Sequence, residues 1–229
     1  PFQQNLPIVP ITDLAWKDNS LIVATQGRAF WMIDDLSRLH QWKPEMVKED
    51  VFVFEPSVAS HAATRGRRSS SAGTNKSTAP QLDFYLSETP NDEVPVSLTV
   101  EDENGRVITT YSRKPDREKQ EQRLELQPGV NSIQWNMRYP GAESFEGLVL
   151  WLGGTQGPQA IPGKYPVKLT IGDQTFEQVF EVQADPRSEA TAEDYQAQLD
   201  YLLAVRDKLS EIHKAIQHIR DAEEQLSAL

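Results

Sequence analysis

The sequence predicts a mainly β protein in three parts: a short β meander, an immunoglobulin- or fibronectin-like β-sandwich, and a long C-terminal α-helix. Three observations carry this reading. Short runs rich in β-branched and aromatic residues recur between residues 11 and 182, separated by tight polar turns. Apolar and polar positions alternate within several of them, as on a strand with one covered face. After Pro186 there is no further proline or glycine, and apolar residues recur in steps of three and four to the end of the chain.

The bulk numbers bound what such a protein does. Its 229 residues suffice for one large domain or two ordinary ones. Charged residues make up 25% and the apolar and aromatic set 38%, the balance of an ordinary globular chain. A formal net charge of −11 argues against nucleic acid as a partner, because phosphate binding needs a basic face. No apolar run approaches the length of a membrane span. There is no cysteine, so no thiolate site and no disulfide. That suits bacterial export better than eukaryotic secretion, and it suits a cytosolic protein equally. The chain opens at Pro1 in the middle of a strand pattern, which we read as a truncation.

Residues 11–16, 21–25 and 28–33 form the meander, with turns at Lys17–Ser20 and Gln26-Gly27. Three strands make a marginal domain, so they are expected to need neighbours. Residues 57–79 are small, polar and locally basic, with too little apolar surface to offset the entropy of ordering, and are expected to be a disordered loop. Arg65, Arg67 and Arg68 there could meet an anionic partner; a solvated insertion is the plainer reading. Strands are then expected at 81–86, 96–100, 106–111, 123–126, 130–138, 165–171 and 176–182. Ser97 and Thr99 alternate with Val96, Leu98 and Val100, and Lys168 and Thr170 with Val167, Leu169 and Ile171. Asn104-Gly105 and Gly172-Asp173 are hairpin turns. Seven short strands at this spacing make a sandwich, with Trp135 as a core anchor.

The closing helix follows Asp185-Pro186. Thr191 is its cap and Asp194 the acid of a capping box. Its stripe comprises Tyr195, Leu199, Leu202, Val205, Leu209, Ile212, Ile216, Ile219 and Leu226. No second helix in the sequence meets that stripe. Two expectations follow: a partner helix beyond Leu229 in a longer chain, and self-association of this one.

Several strings resemble one known family. Residues 9–15 (VPITDLA) and 21–36 (LIVATQGRAFWMIDDL) resemble the last blade of sortilin-like β-propellers with bacterial neuraminidase-type repeats, in which a T-x-G-R-x-x-W-x-x-D-D stretch marks late blades. Residues 135–141 (WNMRYPG), 163–171 (GKYPVKLTI) and the helix from Asp194 resemble the tail of the same proteins. The resemblance implies a secreted or periplasmic protein whose remaining blades and helical tail are this chain's partners. It divides the chain into a partial blade (1–50), a connecting strand and loop (51–80), a sandwich (81–184) and a truncated helical tail (191–229). Relatives are often labelled glycosyl hydrolases, so two functions stand side by side. One is a non-catalytic accessory region binding protein or glycan. The other is the end of a sialidase-like exo-glycosidase whose centre lies in other blades, to which Arg28 alone adds little.

The residues themselves offer little catalytic chemistry. His213 and His218 are spaced for different helix faces, and no cluster has metal-ligand spacing, so neither metal nor cofactor is expected. Asp34 and Asp35 are adjacent on a strand end and point to opposite faces, so they cannot flank one glycosidic bond. They read as turn residues. The stretch 139–158 is glycine-rich and carries Tyr139, Phe145 and Trp151, candidate platforms for stacking on sugar rings. The plainer alternative makes residues 148–152 a buried strand.

Overall fold

A computed structural model describes residues 6–61 and 77–227. Arg65, Arg67, Arg68 and most of the loop expected at 57–79 lie outside the described residues. The protein is mainly β, with several sheets and one long C-terminal helix.

Strands β1 (Ile11–Lys17), β2 (Ser20–Thr25) and β3 (Phe30–Ile33) form an antiparallel meander. A two-residue turn at Asp18 and Asn19 joins β1 to β2, with Asp18 at φ 52°. All seven residues of β1 are exposed, and of the whole meander only Val23 is buried. Helix α1 (Ser37–Gln41) and a 3-10 turn (Pro44–Lys48) lead onward.

Two further sheets share one apolar core. In the smaller, β4 (Val51–Val53) and β10 (Gly129–Gln134) flank β6 (Gln81–Leu86). The larger runs β5 (Ala59–Ser60), β12 (Gln174–Gln183), β11 (Gly163–Ile171), β7 (Val96–Glu101), β8 (Val107–Ser112), β9 (Gln122–Arg123). Alternation decides which side chains enter the core. Leu82, Phe84 and Leu86 come from one sheet, and Val96, Leu98, Val100, Val167 and Leu169 from the other, all essentially inaccessible. Trp135, with no exposed surface, sits between them against Tyr165 and Phe180, at ring-centroid distances of 5.4 and 5.9 Å.

Three expected strands differ. Of the run 123–126 only Arg123 is in a strand, β9, paired parallel to β8. The run 130–138 stops at Gln134, and Met137 then takes a positive φ of 54°, which a strand cannot accommodate. The stretch 148–152 is neither a strand nor buried: Val149, Trp151 and Leu152 are 87, 91 and 93% exposed.

Helix α2 (Ala192–Ser227) begins with the expected box. The Thr191 amide donates to Asp194 Oδ2 at 2.9 Å, and the Asp194 amide donates back to Thr191 Oγ1 at 3.3 Å. The helix docks through Leu199, Leu203 and His213, which are its buried residues. Its polar side chains grip one loop. Arg206 Nη1 donates to the Pro140 carbonyl at 3.2 Å, Ser210 Oγ accepts the Glu143 amide at 3.1 Å, and Arg220 Nη1 donates to the Glu146 carbonyl at 3.2 Å.

Candidate functional site

The glycine-rich stretch is a clamped stem with a free tip. Tyr139 N donates to the Pro158 carbonyl at 2.9 Å, and Ala142 N to the Thr155 carbonyl at 2.8 Å, so residues 139–142 and 155–158 run side by side. Two glycines allow this approach. A Cβ on Gly157 would stand 1.9 Å from the Tyr139 carbonyl oxygen, and one on Gly141 would stand 2.1 Å from that of Thr155. The glycines therefore serve backbone contact and not ligand approach.

This stem puts Tyr139 into the wall of a groove of about 580 Å³. The β7–β8 turn supplies Asp102, Glu103 and Arg106, the start of β11 supplies Tyr165, and the first turns of α2 supply Glu193 and Tyr195. Arg106 stands 5.4 Å from the Tyr139 ring centroid, and its Nε lies 3.2 Å from Asp102 Oδ2. Burial pushes the Tyr139 phenol up, and hydrogen bonding from Arg106 opposes this. Tyr165 donates its hydroxyl to the Ile161 carbonyl at 2.5 Å, and burial pushes its phenol up as well. Tyr195 is half-buried and donates to Ser188 Oγ at 3.1 Å.

The acids of this groove are engaged in holding backbone. Asp102 Oδ1 accepts the amides of Asn104 and Arg106, each at 2.9 Å, and Glu103 Oε1 accepts the Lys164 amide at 3.4 Å. No histidine or lysine is among the described residues lining it. The groove can hold a polar, ring-bearing or cationic group through its tyrosines and carboxylates.

Tyr139, Phe145 and Trp151 are not brought together. Tyr139 is 6% exposed and faces Arg106. Phe145 is pinned on α2, edge-on to His213 at 5.5 Å and 4.6 Å from the Arg220 guanidinium carbon. Trp151 stands at the free tip. Sequence reasoning missed Tyr165 and Tyr195 as companions of Tyr139: the first comes from β11 and the second from the docked start of α2.

The other acidic candidates are structural. Asp35 Oδ1 accepts from Asn19 Nδ2 at 2.7 Å and from the Ser37 amide at 2.8 Å, and Oδ2 accepts from Ser57 Oγ at 2.5 Å. The carboxylate thus ties the meander to the chain entering the larger sheet. Among the described residues no group of three or more His, Cys, Asp or Glu side chains could hold a metal ion, and no helix is long and apolar enough to cross a membrane.

No family model matches the chain, and no curated protein matches it.

Proposed function

We propose that this chain is a non-catalytic accessory region of a larger exported protein, packing domains together and presenting a surface to a protein or glycan ligand. On this reading β1–β3 belong to the closing blade of a sortilin-like propeller with neuraminidase-type repeats. The two sheets behind them form an immunoglobulin-like sandwich. The protein itself works outside the cytoplasm, secreted or periplasmic.

The observation that carries the reading is a meander without cover. Leu14, Trp16, Phe30 and Met32 are 60, 59, 78 and 54% exposed on a three-stranded sheet. Apolar surface of this kind marks an interaction site, and three strands alone are marginal in water. The tip at 149–152 is a second such surface. The groove at Tyr139 supports binding over turnover, because its carboxylates already accept backbone hydrogen bonds.

Hydrogen exchange over residues 11–33 tests the packing role, comparing this chain with a longer protein that includes it. Strong added protection in the longer protein is expected; equal, fast exchange in both would defeat the proposal. A parallel assay offers this chain a sialoside and a glycan panel. Hydrolysis of any of them would overturn the non-catalytic reading.

A further inference from the structure

One face of helix α2 packs on the body of the chain, and beside it Leu202, Val205 and Leu209 line a groove shared with residues 154–159. Leu199, Leu203 and His213 are buried, whereas Tyr201, Val205, Ile212, Ile219 and Leu226 are 69, 47, 50, 67 and 72% exposed. Written as a heptad, Leu202, Leu209 and Ile216 occupy one core position, and Val205, Ile212, Ile219 and Leu226 the other. Spacings that alternate three and four are those with which one helix packs on another in a left-handed pair.

We infer that a second copy of this chain covers the stripe, its α2 running antiparallel about a two-fold axis between Ala215 and Ile216. The side chains select this register. Ile212 falls opposite Ile219 of the second copy, and Val205 opposite its Leu226. Leu209 meets Ala222, and Ile216 meets Ala215, so large residues face small ones. Lys208, which also pairs with Glu211 of its own helix, falls opposite Glu223, the one acid at a core position of the stripe, and symmetry makes this pairing twice. A parallel pair would instead place Glu223 against Glu223, two like charges in the seam.

Contacts of α2 with the rest of the chain run from Tyr195 to Arg220, and residues 221–227 are exposed throughout. An axis near Ala215 lies toward that free end, which displaces the two bodies along the helices by about 24 Å. The exposed apolar side chains offer on the order of 600 Å² per copy, and the pair about 1,200 Å², the lower limit of specific interfaces. An interface of this size fits a reversible dimer. This inference goes beyond the accessory role proposed above and stands without it.

The lack of cysteine makes the test direct. Under mild oxidation of the full chain, Ala215→Cys is expected to give a covalent dimer. Ala222→Cys is expected to stay monomeric, since antiparallel helices hold those thiols on the order of 20 Å apart. Sedimentation equilibrium of the unsubstituted chain should show a mass rising toward twice the monomer, and Ile212→Glu with Ile219→Glu should abolish the rise. Both sites are exposed, and unchanged circular dichroism confirms that the variant is folded. Lys208→Glu should weaken the dimer about tenfold, and adding Glu223→Lys should restore it. A monomer at every concentration overturns the proposal, as does equal cross-linking at positions 215 and 222.

Discussion

Arg38 on α1 reaches across to Asp83 on β6, its Nε 3.3 Å from a carboxylate oxygen whose side chain is only 7% exposed. Ser132 on the neighbouring strand donates to the other oxygen at 2.5 Å. This pair fastens α1 to the smaller sheet, while the hydrogen bonds of Asp35 tie the meander to the chain entering the larger one.

Burial raises the Asp83 carboxyl above its ordinary value, against the opposing pull of Ser132, Arg38 and Gln81 and with a small push from Asp35. A carboxyl that binds its proton more tightly in the folded state favours folding below its ordinary pKa of 3.8, and that contribution is lost as pH rises through the higher folded value. Urea titrations of the parent chain and Asp83→Asn between pH 3.5 and 7 should therefore diverge, with the variant gaining relative stability toward neutral pH. Curves that stay parallel across this range would show that the carboxyl is not perturbed. Arg38→Ala should steepen the dependence and cost about 1 kcal/mol at pH 7, since the arginine is half-exposed.

Gly157→Ala should destabilise the fold by roughly 3 kcal/mol or more, because the new methyl meets backbone that cannot retreat. Gly154→Ala is the control. Nothing lies within 4 Å of its would-be Cβ, and a change within about 0.5 kcal/mol is expected. Chemical denaturation of the two variants side by side checks the claim; equal stabilities would mean that the stem is not the clamp described.

Trp135→Ala should cost about 4 kcal/mol, the usual range for emptying a fully buried aromatic site. Its ring nitrogen is buried without a hydrogen-bond partner, so Trp135→Phe gives up no polar contact and should cost less than half as much. If the two variants are equally unstable in urea, the indole nitrogen has a role that the packing does not account for.

The Asp194 carboxyl is held below the usual carboxylate range by the backbone amide and hydroxyl of Thr191. Its contribution is present above the ordinary pKa and is lost as pH falls through the depressed folded value. Thr191→Ala should move the Asp194 titration upward in carboxyl-detected NMR and speed amide exchange at residues 194–196. An unmoved titration would place the cause elsewhere.

What could be read from the sequence was what near neighbours decide. Asn104-Gly105 and Gly172-Asp173 turn hairpins, Thr191 and Asp194 start a helix, and alternation names the core faces of β7 and β11. The five apolar residues at 148–152 misled for a physical reason. A continuous apolar run carries no record of whether anything covers it, and here Gly141 and Gly157 close the stem and leave the tip outside. The parallel pairings of β5 with β12 and β8 with β9 were likewise invisible, since they depend on where loops return. The groove at Tyr139 was half legible. The tyrosine could be singled out, but its companions Tyr165 and Tyr195 arrive from separate elements that only the finished core positions.

The exposed meander also has a consequence for the order of events on the ribosome. Residues 11–33 are synthesised before the side chains that tie down the segment after them: Ser57, which hydrogen-bonds Asp35, and Asp83, which pairs with Arg38. Trp16, Phe30 and Met32 stay exposed on a sheet with open edges even after β6 and β10 have paired, so nascent and finished chain alike carry the kind of surface that chaperones hold and that aggregates when they do not.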